Sequence, residues 1–201
     1  TKFIIKSPTI TSITPLTATF GEEITITGTN FGIKPAYNKV YFGNVLADVI
    51  ASDMNSIKVL LPNNLAESTT KIKVESNAID ITHPTDFKLT KPIITFVDAG
   101  IKTDTEIIIK ADFFNPVIEN NKITFDGVEG EIISIDNKDI KVKVPVGPYP
   151  RRKVKVEIKI IDIKGEYVND IDILNKWVQI SNSLPFRYSL YSSNNTVVAN
   201  N

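Results

Sequence analysis

The chain has 201 residues, with 23 Lys+Arg balanced by 23 Asp+Glu, one His and no Cys. Zero net charge argues against a partner held mainly through phosphates, so no nucleic acid is expected. The lack of Cys excludes disulfides, zinc thiolates and a Cys nucleophile, and no run of about 18 apolar residues is present to cross a membrane as a helix. The chain starts at Thr1 with no signal peptide, so it is expected to be a mature or trimmed piece of a longer product.

Read in order, the elements are short β runs. Pro8 and Pro15 bracket an alternating stretch suited to an edge strand, because proline cannot donate to a ladder. Ile24 and Ile26 alternate with Thr25 and Thr27, the pattern of a half-buried strand. Gly28-Thr-Asn-Phe-Gly32 follows, with Gly28 and Gly32 expected at positive φ and Phe31 expected to plug a core. Val40-Tyr-Phe42 starts a strand that stops at Gly43. Val45–Ala51 and Ser56–Leu61 are further β runs, the second ended by Pro62. Asn63–Thr70 is polar and loop-like; Lys71–Glu75 alternates again, and Ile79, Ile81 and Phe87 complete the unit.

A shift of 83 residues then repeats the pattern, carrying Ile24 and Ile26 onto Ile107 and Ile109. Phe31 lands on Phe114, Phe42 on Phe125, Val59 on Val142 and Pro62 on Pro145. Only the start differs by one residue, where Pro8-Thr-Ile10 matches Pro92-Ile-Ile94. A constant offset that keeps both alternation and the proline stop predicts two β domains of about 85 residues. The seam falls between Thr82-His-Pro84 and Lys91-Pro92, which predicts a limited hinge. Domain ranges of 6–89 and 90–173 follow, with 174–201 as a C-terminal extension. The second unit has Ala111-Asp-Phe-Phe-Asn115 in place of the glycine-bracketed turn, so its turn is expected to differ. Asp139–Val144 and Lys153–Ile161 alternate Lys outward with Ile and Val inward. No convincing helix occurs, and the fold class is all-β, a pair of sandwiches.

The first unit resembles an IPT/TIG domain, an immunoglobulin-like sandwich. The resemblance runs in order through Pro8, Ile10, Ile13, Pro15, Gly21, Ile24, Ile26, Gly28, Asn30, Phe31, Gly32, Phe42, Gly43, Ile57, Val59 and Pro62. The second unit is similar through Pro92, Ile107, Ile109, Phe114, Phe125, Gly127, Val142 and Pro145. The tail, with Trp177-Val-Gln179, Leu184-Pro185 and Arg187, is similar to the opening of a Kelch-type propeller blade, which implies a further domain beyond Asn201. Such domains occur in cell-surface receptors, in bacterial polysaccharide-utilisation proteins, beside starch-active enzymes and in Rel-type transcription factors. The Lys-, Ile- and Asn-rich composition looks like a Bacteroidetes-type surface protein.

Chemistry-bearing residues are sparse. His83, the sole histidine, has neither a Cys nor a second His for a zinc site or triad and is read as structural or solvent-exposed. Glu22-Glu23, Glu129 with Glu131, and Asp170 with Asp172 are acidic pairs of the type a glycosidase needs, but each reads as solvated surface. Asp98, Asp104, Asp126 and Asp136 could ligate calcium, yet no Asp-x-Asp-x-Asp-Gly loop holds them. Lys141, Lys143, Arg151, Arg152, Lys153, Lys155 and Lys159 form the basic stretch, spaced as the outer face of a sheet. Trp177, Tyr188 and Tyr191, with Tyr149 between two prolines, are the candidate ligand-binding aromatics; packing against a sandwich is the competing reading.

The expectation is therefore a non-catalytic spacer or adhesion module of a larger bacterial cell-surface protein, linked to polysaccharide capture or use. No cofactor or metal is expected, and the chain is expected to be a monomer, attached to the outer membrane through a part outside this sequence. Partners would be a polysaccharide or another surface protein. The alternatives are direct glycan binding by the exposed aromatics, or an accessory region of a carbohydrate-active enzyme.

Overall fold

The computed structural model describes residues 6–98, 101–147, 154–169, 173, 178–179 and 189–190. The chain forms two compact units, one built on Thr1–Lys91 with Asn115–Asn120 and Ile161–Ile163, the other on the rest from Pro92.

Unit 1 contains β1 (Thr9–Thr14), β2 (Thr17–Ala18), β3 (Glu23–Thr29), β4 (Asn38–Phe42) and β5 (Val45–Ser52). It continues with β6 (Ser56–Leu60), β7 (Thr69–Thr70), β8 (Ile72–Ser76), β9 (Ile79–Thr82) and β10 (Phe87–Leu89). Seven of these follow the order β1-β3-β6-β5-β4-β8-β9, and β2-β10-β7 form a small second sheet. The proline-bracketed β1 lies at the edge of its sheet, where its sequence suits it.

The strand β5 changes partner along its length. Val45–Ala47 pair with β4, whereas Asp48–Ser52 pair with β6 across a bulge between Val49 and Ala51. One strand thus serves both halves of the sandwich. The inward side chains are those the alternation picks out. Ile24, Ile26, Ile57 and Val59 face in from β3 and β6, and Val40, Phe42, Ile72 and Val74 from β4 and β8, all fully buried. Each contributes about 1.5–3 kcal/mol before the entropy of ordering is set against it. Phe87 meets Phe42 edge-on at 5.1 Å, which ties the small sheet to the core.

Unit 2 repeats this plan with β11 (Ile93–Val97), β12 (Glu106–Asp112), β13 (Asn121–Phe125), β14 (Val128–Asp136), β15 (Asp139–Lys143), β16 (Val154–Ile160) and β17 (Ile163–Asn169). Their order, β11-β12-β15-β14-β13-β16-β17, matches that of unit 1 strand for strand. β14 changes partner as β5 does, from β13 to β15. The core residues Ile107, Ile109, Ile140, Val142, Ile123, Phe125, Val156 and Ile158 occupy the repeated positions. Unit 1 positions β7 and β10 correspond to residues outside the described range. Further on, β18 (Val178–Gln179) pairs antiparallel with β19 (Ser189–Leu190). The chain is all-β; the helical turns Pro35–Tyr37 and Ile118–Asn120 are three residues each. Among the described residues no helix is long and apolar enough to cross a membrane.

Two turn expectations need correction. Neither Gly28 nor Gly32 has positive φ; the left-handed residue is Asn30, at φ 60°. Gly28 is required by close approach instead, since a Cβ there would lie 1.8 Å from the Thr9 carbonyl oxygen and 2.5 Å from Phe31 Cζ. A Cβ on Gly32 would lie 2.5 Å from Tyr37 Cβ. Phe31 is the core plug expected of it, 3% exposed. The second correction concerns unit 2, whose turn keeps the same left-handed position despite losing both glycines. Phe113 stands there at φ 63°.

Candidate functional site

In unit 1 the β3–β4 loop is fixed by a buried polar network. Asn38 Oδ1 accepts from Gly32 N–H at 2.9 Å and from Ser76 Oγ–H at 2.8 Å, while Asn38 Nδ2 donates to the carbonyls of Gly32 and Lys34. Asn38 and Ser76 are both buried, so these bonds replace water that cannot reach them. The loop leaves Ile33 and Tyr37 exposed, and Phe31 N–H donates to the Met54 carbonyl of the neighbouring turn.

One shallow depression of unit 1 forms no deep cleft. It is lined by Phe42, Gly43, Asn44, Leu65, Glu67 and Thr70 among others and holds about 80 Å³. Small-molecule sites usually enclose about 300–1,000 Å³.

Most of the described candidate carboxylates are engaged locally, and Glu131 lies opposite Lys143 in the ladder. Glu22 accepts from Thr19 N–H at 2.7 Å, and Glu23 pairs with Lys58 at 2.7 Å. Glu129 pairs with Lys122 at 2.7 Å. Asp98 accepts from Ile108 N–H, Asp104 pairs with Lys143 at 3.0 Å, and Asp126 accepts from Lys155 N–H at 2.7 Å. Asp136 lies opposite Asp139 at the β14–β15 turn. Among the described residues no three His, Cys, Asp or Glu side chains gather as metal ligands. Asp170 and Asp172 lie outside the described residues.

Three lysines of the basic stretch, Lys141, Lys143 and Lys155, are paired with carboxylates. Lys141 pairs with Glu106 at 2.5 Å, and Lys155 bridges Glu157 and Glu166 at 3.2 and 2.9 Å. Hydrogen bonding to Asp104 raises the Lys143 pKa, and hydrogen bonding to Glu166 and Glu157 raises that of Lys155. Partial burial works to raise the Glu157 pKa, but hydrogen bonds and attraction from Lys155 and Lys164 outweigh it and hold the carboxyl below its usual range. A face whose cations are already paired offers little free charge to a phosphate backbone. Lys159 is exposed on the same strand, and Arg151, Arg152 and Lys153 lie outside the described residues.

His83 is buried, 8% exposed, and its Nδ1–H donates to the Thr85 carbonyl at 3.2 Å, a structural placement on the strand-to-β10 connection. The candidate aromatics Trp177, Tyr188, Tyr191 and Tyr149 all lie outside the described residues.

The structure adds exposed apolar residues that composition did not single out. In unit 2 Ile93, Phe96 and Phe113 are 49%, 44% and 41% exposed. The available signal was a comparison of the two repeats at their outward positions, since unit 1 carries Thr9, Ser12 and Asn30 there.

With this geometry in hand, comparison with known proteins is informative for the first sandwich. Residues 8–90 match the family model of the IPT/TIG domain. No curated protein matches the chain. Solved structures with related architecture include the plexin A4 extracellular region, at 13% identity and TM-score 0.40, with 83% of this chain and 18% of that one covered. The surface glycan-binding protein of Prevotella bryantii is 16% identical with a TM-score of 0.40, covering 80% of this chain and 41% of that one. A surface glycan-binding protein from a xyloglucan utilization locus of Bacteroides uniformis is 18% identical with a TM-score of 0.36, covering 83% and 50%. The chain spans less than half the length of the first solved structures it resembles. The family match and the strand plan agree: residues 8–90 fit the IPT/TIG domain model, and unit 2 repeats the same strand order.

Proposed function

We propose that the chain is a non-catalytic spacer and adhesion module of a larger bacterial cell-surface protein. It comprises an IPT/TIG sandwich at 6–89, a similar sandwich at 90–173 and an extension at 174–201. The observation that carries the reading is the repetition of one strand plan with two separate apolar cores. A sandwich with its own core holds its own two ends at a set separation, and a second sandwich repeats that framework without adding chemistry. The local pairing of the described surface carboxylates and lysines supports the same reading, since these groups are occupied in holding strands together.

An antibody to this chain, applied to intact and fractionated source cells, tests the proposal. A surface-labelled band much larger than 22.3 kDa in the outer-membrane fraction is the expected result. A band near that mass in the cytosol would overturn it.

Direct glycan capture is the second reading. The exposed aromatic and aliphatic residues on unit 2 favour it, and the similar structures from Prevotella bryantii and Bacteroides uniformis are named as surface glycan-binding proteins. Under this reading Trp177, Tyr188, Tyr191 and Tyr149 are further candidates for contact with sugar.

A further inference from the structure

We propose that the outward face of β11 and the adjoining end of β12, carrying Ile93, Phe96 and Phe113, docks a neutral polysaccharide chain. The two repeats provide the comparison. In unit 1, β1 places Thr9 opposite Thr29 and Ser12 opposite Thr27, with a bulge between Ile10 and Ser12. These outward rows are polar: the Thr9 and Thr29 hydroxyls bond at 2.8 Å, and Thr11 Oγ–H donates to the Thr27 carbonyl. In unit 2, β11 has the same bulge between Ile94 and Phe96, and Ile93 and Phe96 face outward opposite Asp112 and Lys110. The inward rows keep their apolar character, with Ile94 opposite Ala111 and Val97 opposite Ile109, all buried. The backbone is therefore repeated, and Thr95 keeps the bond of Thr11 by donating to the Lys110 carbonyl, while Thr9 and Ser12 are replaced by Ile93 and Phe96 and their partners Thr29 and Thr27 by Asp112 and Lys110.

Phe113 is the third exposed apolar residue, just past the end of β12. It follows Asp112, whose partner is Ile93, and it replaces Asn30 at the left-handed position. Asn tolerates that conformation readily and a bulky residue does not, so an exposed Phe there is held against its local preference. From Lys110, opposite Phe96, to Asp112, opposite Ile93, is two residues, or about 7 Å at strand rise.

Charge and area decide the occupant. The polar side chains beside the apolar row are already paired, Lys110 with Asp139 at 2.8 Å and Lys138 with Asp112 at 2.6 Å. Such a face repays no net charge on its ligand. Together the three side chains expose roughly 250 Å², taking about 200 Å² for a whole aromatic side chain. A stable protein interface needs about 800 Å² from each partner. A narrow, uncharged, extended chain fits that strip, with apolar sugar faces on the rings and hydroxyls toward the ion pairs.

The proposal rests on the glycan-capture reading and gives it a site, so equal retardation of a site variant overturns the site alone, while the spacer reading stands or falls on location and size. Its test is native electrophoresis of the full chain in gels cast with hydroxyethyl cellulose, galactomannan or starch, with polygalacturonate as the anionic control. The variant Ile93→Thr/Phe96→Ser/Phe113→Asn gives unit 2 the residues that unit 1 carries at the repeated positions, so its fold is expected to persist, as checked by circular dichroism. The expected result is retardation of the wild-type chain in at least one neutral gel, weakened at least tenfold in the triple variant and kept in Phe96→Trp. Absence of retardation in every neutral gel would overturn the proposal. So would equal retardation of the variant, stronger retardation by polygalacturonate, or concentration-dependent sedimentation that the variant abolishes, which would identify a protein occupant.

Discussion

Gly28→Ala isolates one contact on which the first sandwich depends. The added methyl would meet the Thr9 carbonyl oxygen at 1.8 Å and the Phe31 ring at 2.5 and 2.9 Å. Neither neighbour can yield freely. Thr9 is held in register against Thr29 at the edge of the sheet, and Phe31 is buried. Overpacking of this kind costs about 1–3 kcal/mol, with the upper end appropriate for a backbone atom. Against it stands about 0.4–1 kcal/mol from the reduced freedom of the unfolded chain, because Gly28 has no positive φ to lose. The net expectation is a loss of about 2 kcal/mol, or roughly 8–16 °C in the melting temperature of a domain this size. Scanning calorimetry reads it, with Gly21→Ala as the comparison: nothing lies within 4 Å of that Cβ, and only the cost of φ +75° applies, about 1 kcal/mol. Unit 2 tolerates Ala111 at the repeated position, where Phe114 is only partly buried. A Gly28→Ala chain melting within 2 °C of wild type, on a scale where about 1 kcal/mol is 4–8 °C, would refute the close-approach argument.

Other consequences can be checked in the same way. Phe113→Gly should stabilise unit 2 by about 1 kcal/mol in urea unfolding, because glycine adopts φ 63° without strain; no gain would mean the turn is unstrained. Asn38→Ala should cost about 1–3 kcal/mol, since the buried loop carbonyls of Gly32 and Lys34 lose their donor, and slower amide exchange in the loop would contradict this. Glu157 has a lowered folded pKa, so its stabilisation is present above the ordinary carboxylate range and is lost as pH falls through the folded value. The wild-type chain should therefore exceed Glu157→Gln in stability at pH 7, with the gap closing below about pH 4; a constant gap would remove the ion pairs as its cause.

How much of this was legible depended on whether a residue's role is local. Ile24, Ile26, Val40 and Phe42 alternate with polar neighbours, so strand and core membership followed from periodicity. The 83-residue offset survives because strands and core positions move together. The role of Gly28 was not legible, since glycine alone does not separate positive φ from the approach of a strand about 20 residues earlier in the chain. Phe113 was missed because the loss of flanking glycines suggested a different turn, whereas the surrounding ladder imposes the same conformation. The two-residue β2 and β7 are too short to show a period, and β10 alternates only once, so all three form through tertiary pairing, with β7 at the end of the polar Asn63–Thr70 loop. The apolar row on β11 became visible once register showed which side chains face outward.

The central claim is that distance is set by two self-contained sandwiches, and separating them tests it most directly. Residues 6–89 and 90–173 would be prepared individually and their amide spectra compared with those of the whole chain. The account predicts well-dispersed spectra and a cooperative thermal transition for each half. Collapse of the spectrum or loss of the transition in either half would contradict it.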